Sequence, residues 1–365
     1  MIRKIRNFIN EKKKLKTCFL ENGNFMSPGN YVFDDSIKYI TRNDRITQKR
    51  TSEILKHDYY RKATTRFFIY LLKKTIFRRS IFIPESELAI KDFIGTVYLP
   101  IRSTNGYSDK KIFDFAHKKV LSVFSEEKDY QSVINNYHYF NQHFPMPEIL
   151  GTNAGELLIL EELIICQPPE TWRDEDCFNI MKDIFCRYKE YFCDCKQKRK
   201  YYFTIPKEVF NSTLNNEEID FIRREMNQEI LLMSFPNLMV HGDLWTGNLL
   251  LKKEEKGFIY YIDWEYSNEL IFFYDFFNLM WIEIYMNHNY KYFNRYLNGE
   301  FDQELIEIFS IFELSFRPEW RLDYFHLYFL NFLQVRGIHF NWVDRQTYLN
   351  RYKKIIGRIW NIEGD

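Results

Sequence analysis

The chain has 365 residues, of which 45% are hydrophobic and 28% are charged, and its formal net charge is +1. This composition allows a large core, and the six cysteines lack the even framework of a small disulfide-bonded secreted domain. No apolar run approaches the roughly 20 residues that a membrane span requires. Because Arg3, Lys4 and Arg6 interrupt the N-terminal apolar residues, we expect a cytoplasmic protein without a signal peptide.

Residues 1–91 form a basic N-terminal extension. They carry 21 lysines and arginines against 9 aspartates and glutamates, whereas the rest of the chain carries 30 against 41. Ile2, Ile5, Phe8 and Ile9 have helical spacing, so peripheral contact with an anionic membrane is one interpretation. We expect instead a locally helical arm that packs on the following domain or on an acidic partner, and we expect no nucleic-acid partner.

Residues 92–165 have the pattern of a β-rich lobe. Lys111 to Phe115 and Lys119 to Phe124 alternate between polar and apolar positions, which predicts two paired strands. A helical pattern then runs from Glu126 to about Phe140. Leu157 to Leu160 predicts a further strand.

Residues 166–365 have the pattern of a mainly helical lobe that contains a few short strands. The apolar runs Leu238–Val240, Leu249–Leu251 and Phe258–Ile262 each predict a strand, and a polar turn separates the last two into a hairpin. Beyond Asp275 the chain is expected to form helices separated by polar turns.

Aromatic residues make up 19% of the chain, with 26 Tyr, 35 Phe and 7 Trp. Such side chains can form a cage around a quaternary ammonium group. The helical run Leu322–Leu333 is more typical of a core helix, so we expect most of these aromatic residues to pack in the interior.

A group of polar residues lies at the ends of the apolar runs. The sequence from His241 to Asn248 reads His-Gly-Asp-Leu-Trp-Thr-Gly-Asn, and Asp263 follows the predicted hairpin. In such a loop Asp243 can accept a proton from an attacking hydroxyl or orient it, while Asn248 and Asp263 offer oxygens of the kind that Mg²⁺ prefers. This arrangement is typical of phosphoryl transferases that use ATP and Mg²⁺.

The stretch resembles the aminoglycoside phosphotransferase and choline kinase branch of the protein-kinase-like fold, and locally it looks like the fructosamine kinases. The resemblance implies an α+β, two-lobed fold with a small β-rich N-lobe and a mainly helical C-lobe. It implies that Asp243 is the catalytic base and that Asn248 and Asp263 are metal ligands. Three further residues are implied to complete or support the site: His241, Asp275 and Glu265.

The resemblance implies that residues 92–165 are the nucleotide-binding N-lobe, with a hinge beneath the adenine ring after Leu160. Candidate cofactor-binding residues lie in this lobe. The turn Ser103–Ser108 would cover the phosphates of ATP, although it contains one glycine and also fits an ordinary hairpin turn. The candidates are Thr104, Asn105, Gly106, Lys119, Glu162 and Ile164.

The phosphate-binding lysine of the resembled families has no certain counterpart here. Those families carry it on the third strand of the small lobe, paired with a glutamate on the helix. The corresponding positions are Val120–Val123, which contains no lysine, and a position near Asn136. Other candidates remain for the two roles: Lys111, Lys118 or Lys119, with Glu126 or Glu127.

The sequence therefore predicts an ATP- and Mg²⁺-dependent small-molecule kinase that acts on a hydroxyl of an amino alcohol, aminosugar or sugar. The acidic catalytic half favours a cationic substrate. The alternative is a catalytically weak, kinase-like scaffold that binds nucleotide, because the lysine and glutamate are missing from their usual positions. A protein kinase is disfavoured because no activation segment follows Asp263.

Overall fold

The computed structural model describes residues 2–34, 38–55, 80–85, 90–103, 106–253, 257–337 and 342–362. The chain divides into two compact units. The N-terminal unit comprises Met1–Trp172 and Leu250–Glu265, and the C-terminal unit comprises Arg173–Leu249 and Tyr266–Asp365. The first is rich in strands and the second is mainly helical, which confirms the predicted α+β class.

One antiparallel sheet dominates the N-terminal unit. Its eight strands are β1 (Gly29–Phe33), β2 (Ile40–Arg42), β3 (Ile81–Ile83), β4 (Val97–Ser103), β5 (Gly106–Asp114), β6 (Lys119–Val123), β7 (Ile149–Asn153) and β8 (Leu158–Glu162). Their order across the sheet is β3-β1-β2-β4-β5-β6-β8-β7. The predicted pairing of the strands on either side of Ala116 is confirmed, since β5 pairs with β6.

The basic N-terminal segment contributes to this sheet. Helix α1 (Ile2–Glu21) buries Leu15 and Phe19 in a hydrophobic cluster that includes Tyr31 of β1 and Leu121 of β6. Strand β2 pairs with β4, so strands from both sides of the predicted boundary at residue 91 lie in one sheet. The described part of the segment is therefore a folded layer of the N-terminal unit.

Two further helices belong to this unit, α2 (Arg45–Ile54) and α3 (Glu127–Phe140). Helix α3 confirms the helix that was predicted from Glu126 to about Phe140. Glu127 and Asp129 lie in its first turn, where the partial positive charge of the helix N-terminus favours carboxylates.

The segment Leu250–Glu265 returns to the N-terminal unit as a two-stranded sheet of β11 (Leu249–Leu251) and β12 (Ile259–Tyr261). Backbone hydrogen bonds connect it to that unit. Gln167 N–H donates to Leu251 O at 2.8 Å, and Tyr261 N–H donates to Pro145 O at 2.8 Å. The predicted hairpin before Asp263 is thereby confirmed.

The C-terminal unit contains eight of the described α-helices and one three-stranded sheet. The helices are α4 (Asp174–Gln197), α5 (Pro206–Thr213), α6 (Asn216–Glu225), α7 (Tyr274–Ile282), α8 (Lys291–Leu297), α9 (Asp302–Ile311), α10 (Arg321–Gly337) and α11 (Trp342–Ile362). The strands β9 (Tyr202–Thr204), β10 (Phe235–Val240) and β13 (Asn268–Ile271) pair in the order β13-β10-β9. Among the described residues, no helix has the length and hydrophobicity needed to cross a membrane.

Aromatic side chains fill the interior of this unit. Helix α10 buries seven consecutive residues, from Tyr324 to Leu330, and His326 is one of them. The prediction that Leu322–Leu333 is a core helix is confirmed. Its aromatic rings pack edge-to-face and in stacks against other rings, for example Phe329 on Tyr352 with ring centroids 3.7 Å apart.

His326 is a buried titratable group in this core. The side chain is 1% exposed, and its Nδ1 lies 2.8 Å from the Tyr352 hydroxyl. Burial lowers the pKa of His326 from 6.5 to about 3. Between pH 6.5 and about pH 3 the imidazole is protonated in the unfolded chain but neutral in the folded chain. This difference leaves the free energy of unfolding unchanged above pH 6.5 and lowers it as the pH falls below that value.

We expect this group alone to lower the free energy of unfolding by about 2 kcal/mol between pH 7 and pH 5. The variant His326→Gln keeps a hydrogen-bonding side chain but has no proton to bind in this range. Its stability should therefore depend less steeply on pH, as measured by urea denaturation at the two pH values. The same pH dependence in both proteins would contradict the buried neutral imidazole.

Candidate active site

The loop that follows β10 in the C-terminal unit contains the predicted catalytic residues. Asp275, at the start of α7, accepts hydrogen bonds from His241 N–H at 2.7 Å and Gly242 N–H at 2.9 Å. The hydroxyl of Tyr188 donates to the same carboxylate. Asp275 is fully buried, and its hydrogen bonds to the N–H groups of His241 and Gly242 fix the backbone of the loop.

The environment of Asp275 raises the pKa of its carboxyl group from 3.8 to about 6. Burial is the largest cause, because a charged carboxylate loses its hydration. The donors on Tyr188, His241 and Gly242 lower the pKa and partly offset burial, while the nearby charge of Asp243 raises it.

Gly242 has a backbone conformation that a side chain would not allow. Its φ angle is +76°, and an added Cβ would lie 2.3 Å from the carbonyl oxygen of Tyr266. That distance is far below a van der Waals contact, and the atom it meets belongs to backbone. The glycine of the His-Gly-Asp sequence is therefore required by the shape of the loop.

Asp243 and Asn248 lie together in this loop. Asn248 Nδ2 donates to the backbone carbonyl of Asp243 at 2.8 Å and lies 3.4 Å from its Oδ2. The N–H of Asp243 donates to Nδ1 of His241 at 3.3 Å. Asp243 is half-buried, whereas His241 and Asn248 are buried, so Asp243 is the most accessible of the three residues. His241 supports the loop through its ring nitrogen.

Hydrogen bonds from buried side chains also fix this loop. Asn278 Nδ2 donates to Leu244 O at 3.0 Å, and the Tyr328 hydroxyl donates to Asn278 Oδ1 at 3.0 Å. Thr246 Oγ1 donates to the carboxylate of Glu283. Asn278 follows Asp275 by three residues in one helix, and this spacing is the signal that would have revealed it.

The carboxylate of Glu283 accepts hydrogen bonds from three side chains. Besides Thr246, it accepts hydrogen bonds from Asn287 Nδ2 at 3.0 Å and Asn289 Nδ2 at 3.1 Å, and the side chain is 3% exposed. Burial raises the pKa of Glu283, and these donors oppose the increase. A role for Glu283 in holding the loop accounts for these contacts.

Asp263 lies in the N-terminal unit, at the end of the β11–β12 hairpin. Its φ angle is +60°, a left-handed conformation that is uncommon outside glycine. Lys111 Nζ contacts its Oδ1 at 2.5 Å, and the two side chains are 27% and 39% exposed. Glu265 is exposed two residues further on. The structure thus places a lysine beside the predicted metal-binding aspartate.

The lysine beside Asp263 is not the one named among the cofactor-binding candidates. Lys119 Nζ instead donates to the backbone carbonyl of Asp92 at 3.1 Å. Lys119 is three residues from Ser122, so alternation along β6 directs the two side chains to opposite faces of the sheet. Lys111 is the direct partner of Ser122 and shares its face. Binding of nucleotide by Lys119 stays a prediction.

The other cofactor-binding candidates are spread over the N-terminal unit. Thr104 and Asn105 lie outside the described residues, and Gly106 begins β5 as the backbone partner of Ser103. Glu162 ends β8, where its N–H donates to Glu148 O at 2.9 Å, and Ile164 is buried. Binding of nucleotide by these residues stays a prediction.

Asn136 lies in helix α3, near the position where the resemblance implies a glutamate. Its Nδ2 donates to the backbone carbonyl of Trp264 at 2.7 Å. The ring of Trp264 also stacks on Phe140 of the same helix, with centroids 4.1 Å apart. Asn136 therefore anchors the backbone directly after Asp263 rather than pairing with a lysine.

The two predicted metal ligands offer oxygen atoms of the kind that Mg²⁺ binds. The amide nitrogen of Asn248 is engaged with Asp243, which leaves Oδ1 as the atom suited to bind a cation. Asp263 offers a carboxylate that already attracts the positive charge of Lys111. Both atoms are hard oxygen ligands, the type that Mg²⁺ takes in proteins.

Residues 207–337 match the family model described as the phosphotransferase enzyme family. The matched range contains the whole loop from His241 to Asn248 as well as Asp263 and Asp275. The predicted resemblance to aminoglycoside phosphotransferases is confirmed at this level, and the match supports a phosphotransferase. The local likeness to fructosamine kinases stays a prediction. A comparison with curated protein sequences gives no match.

Several solved structures are similar to this chain at low identity. The aminoglycoside phosphotransferase APH(3'')-Id from Streptomyces rimosus is 12% identical, with 63% of this chain and 91% of that chain covered and a TM-score of 0.35. Choline kinase LicA from Streptococcus pneumoniae is 13% identical, with 71% and 92% covered and a TM-score of 0.38. The amicoumacin kinase hAmiN, solved with AMP-PNP, Ca²⁺ and Ami, is 14% identical, with 70% and 86% covered and a TM-score of 0.39.

Proposed function

We propose that this protein is an ATP- and Mg²⁺-dependent kinase that transfers the γ-phosphoryl group to a hydroxyl of an amino alcohol, aminosugar or sugar. The observation that carries the proposal is the loop from His241 to Asn248. Its backbone is held by the buried carboxylate of Asp275, and the accessible carboxylate of Asp243 is fixed by Asn248.

In this proposal Asp243 accepts the proton of the substrate hydroxyl, or orients that hydroxyl, as the phosphoryl group is transferred. Asn248 and Asp263 are the proposed magnesium ligands. Magnesium, when bound, would neutralise the charge on the phosphoryl oxygens. Phosphoryl transfer requires little covalent chemistry from the protein. In this proposal the fixed geometry of the loop therefore supplies much of the catalysis.

A cationic acceptor is the substrate class that we favour. Residues 92–365 carry 41 aspartates and glutamates against 30 lysines and arginines, and such a surface raises the local concentration of an amine. Glu265 and Glu269 are exposed acidic residues that follow Asp263 in the sequence. Glu283 is less suited to bind an amine directly, since its carboxylate already accepts three hydrogen bonds.

The proposal is tested by coupled detection of ADP across choline, ethanolamine, aminoglycosides, ketosamines and simple sugars. We expect ADP formation that requires both Mg²⁺ and one class of acceptor. The alternative, a nucleotide-binding scaffold, predicts that Mg-ATP raises the unfolding temperature while no acceptor produces ADP above the blank. Failure of Mg-ATP to bind at all would reject both functions.

A further inference from the structure

An ammonium group near the phosphates is the part of a kinase site that this chain lacks at its usual position. Lysine in that role attracts the phosphate oxygens of the nucleotide. The segment Val120–Val123 of β6 contains no lysine, and Asn136 is bonded to the carbonyl of Trp264. A neighbouring strand, however, brings a lysine to the same face of the sheet.

The register of three strands establishes this face. Lys111 of β5 is opposite Ser122 of β6, and Ser122 is opposite Ile159 of β8. Directly opposed residues on neighbouring strands have their side chains on the same face of the sheet. Residues two apart along one strand also share a face. Glu161 of β8 therefore shares the face of Lys111, and its carboxylate lies 3.5 Å from the Ser122 hydroxyl.

Lys111 is surrounded by negative charge on this face. Its Nζ contacts Asp263, and Glu161 and Glu265 also act on it electrostatically. Three carboxylates therefore act on one ammonium group.

We propose that Lys111 supplies from β5 the ammonium group that binds the phosphates of the nucleotide, in place of a lysine on β6. The inference rests on the proposed kinase function. A lysine that reaches the predicted metal-binding aspartate is placed to meet the phosphates that accompany the metal.

The experiment measures binding of Mg-ATP and of adenosine to the full chain by calorimetric titration. In Lys111→Met we expect ATP to bind roughly 10- to 100-fold more weakly, since a charged hydrogen bond to phosphate is lost. Adenosine has no phosphate, so its affinity should change less than about 2-fold. Lys111→Gln provides a second variant, which is used if the methionine variant does not fold.

Lys110→Met is the matched control, because Lys110 is the adjacent residue of β5 and faces the opposite side of the sheet. It should bind ATP as the wild type does. Wild-type affinity for ATP in the Lys111 variants, or a selective loss in Lys119→Met, would overturn the inference while leaving the kinase function intact. If the wild type binds no ATP, the proposed function itself fails.

Discussion

Asp243→Asn is expected to lower kcat by roughly 10³-fold, within the range that a positioned general base contributes. The amide keeps the size of the carboxylate and can still accept the hydrogen bond from Asn248, so the loop should retain its shape. It cannot accept a proton from the substrate hydroxyl. Mg-ATP affinity should therefore change little, and the loss should be visible in steady-state kinetics as a fall in kcat.

Asp220→Asn is a suitable control for this change. Asp220 is an exposed residue of α6 whose contact is a surface ion pair with Arg223, so the same chemical change is made away from the loop. The control should keep wild-type kcat. Equal turnover by Asp243→Asn and wild type would remove Asp243 from the mechanism.

Asp275→Ala is expected to have the largest effect on folding. It removes the acceptor for two backbone N–H groups and the Tyr188 hydroxyl, all in the interior. Each buried donor left without a partner costs about 1–3 kcal/mol. Part of this cost is offset because the buried carboxylate, with its pKa raised to about 6, is itself desolvated. We expect a net loss of about 3 kcal/mol in the free energy of unfolding.

The same variant should also lose activity in the fraction that remains folded. A displaced loop moves Asp243 away from its working position, and a shift of about 1 Å is enough for a 10²-fold loss of kcat. Stability is measured by urea denaturation and kcat under conditions where the variant is folded.

Asp323→Ala is the matched control, because Asp323 accepts one backbone hydrogen bond, from Asn227, in a different part of the C-terminal unit. It should lose stability but keep its kcat. A fall in stability without a fall in kcat for Asp275→Ala would show that Asp275 does not position the loop.

The sequence predicted the elements whose signals are local. The strands on either side of Ala116, helix α3, the β11–β12 hairpin and the core helix α10 all follow from periodicity within a short window. The loop from His241 to Asn248 was recognisable because its residue types are fixed by chemistry. These features need no information about distant parts of the chain.

The features that the sequence missed depend on pairing between distant segments. Three strands from the basic N-terminal segment join the sheet, and short strands such as β2 carry little signal of their own. Whether Lys111 or Lys119 lies beside Asp263 depends on the register of the strands, because a shift of one residue moves a side chain to the other face of the sheet. Likewise the contact between Thr246 and Glu283 joins residues 37 apart in sequence.

The central claim, transfer of a phosphoryl group from ATP with Asp243 as the base, is tested most directly by phosphorus NMR. Wild-type protein is incubated with ATP, Mg²⁺ and the acceptor panel, beside Asp243→Asn. We predict a new phosphate monoester resonance, equal in amount to the ADP formed, with the wild type and none above background with the variant. Intact ATP with every acceptor despite nucleotide binding, or the same ester from both proteins, would contradict the account.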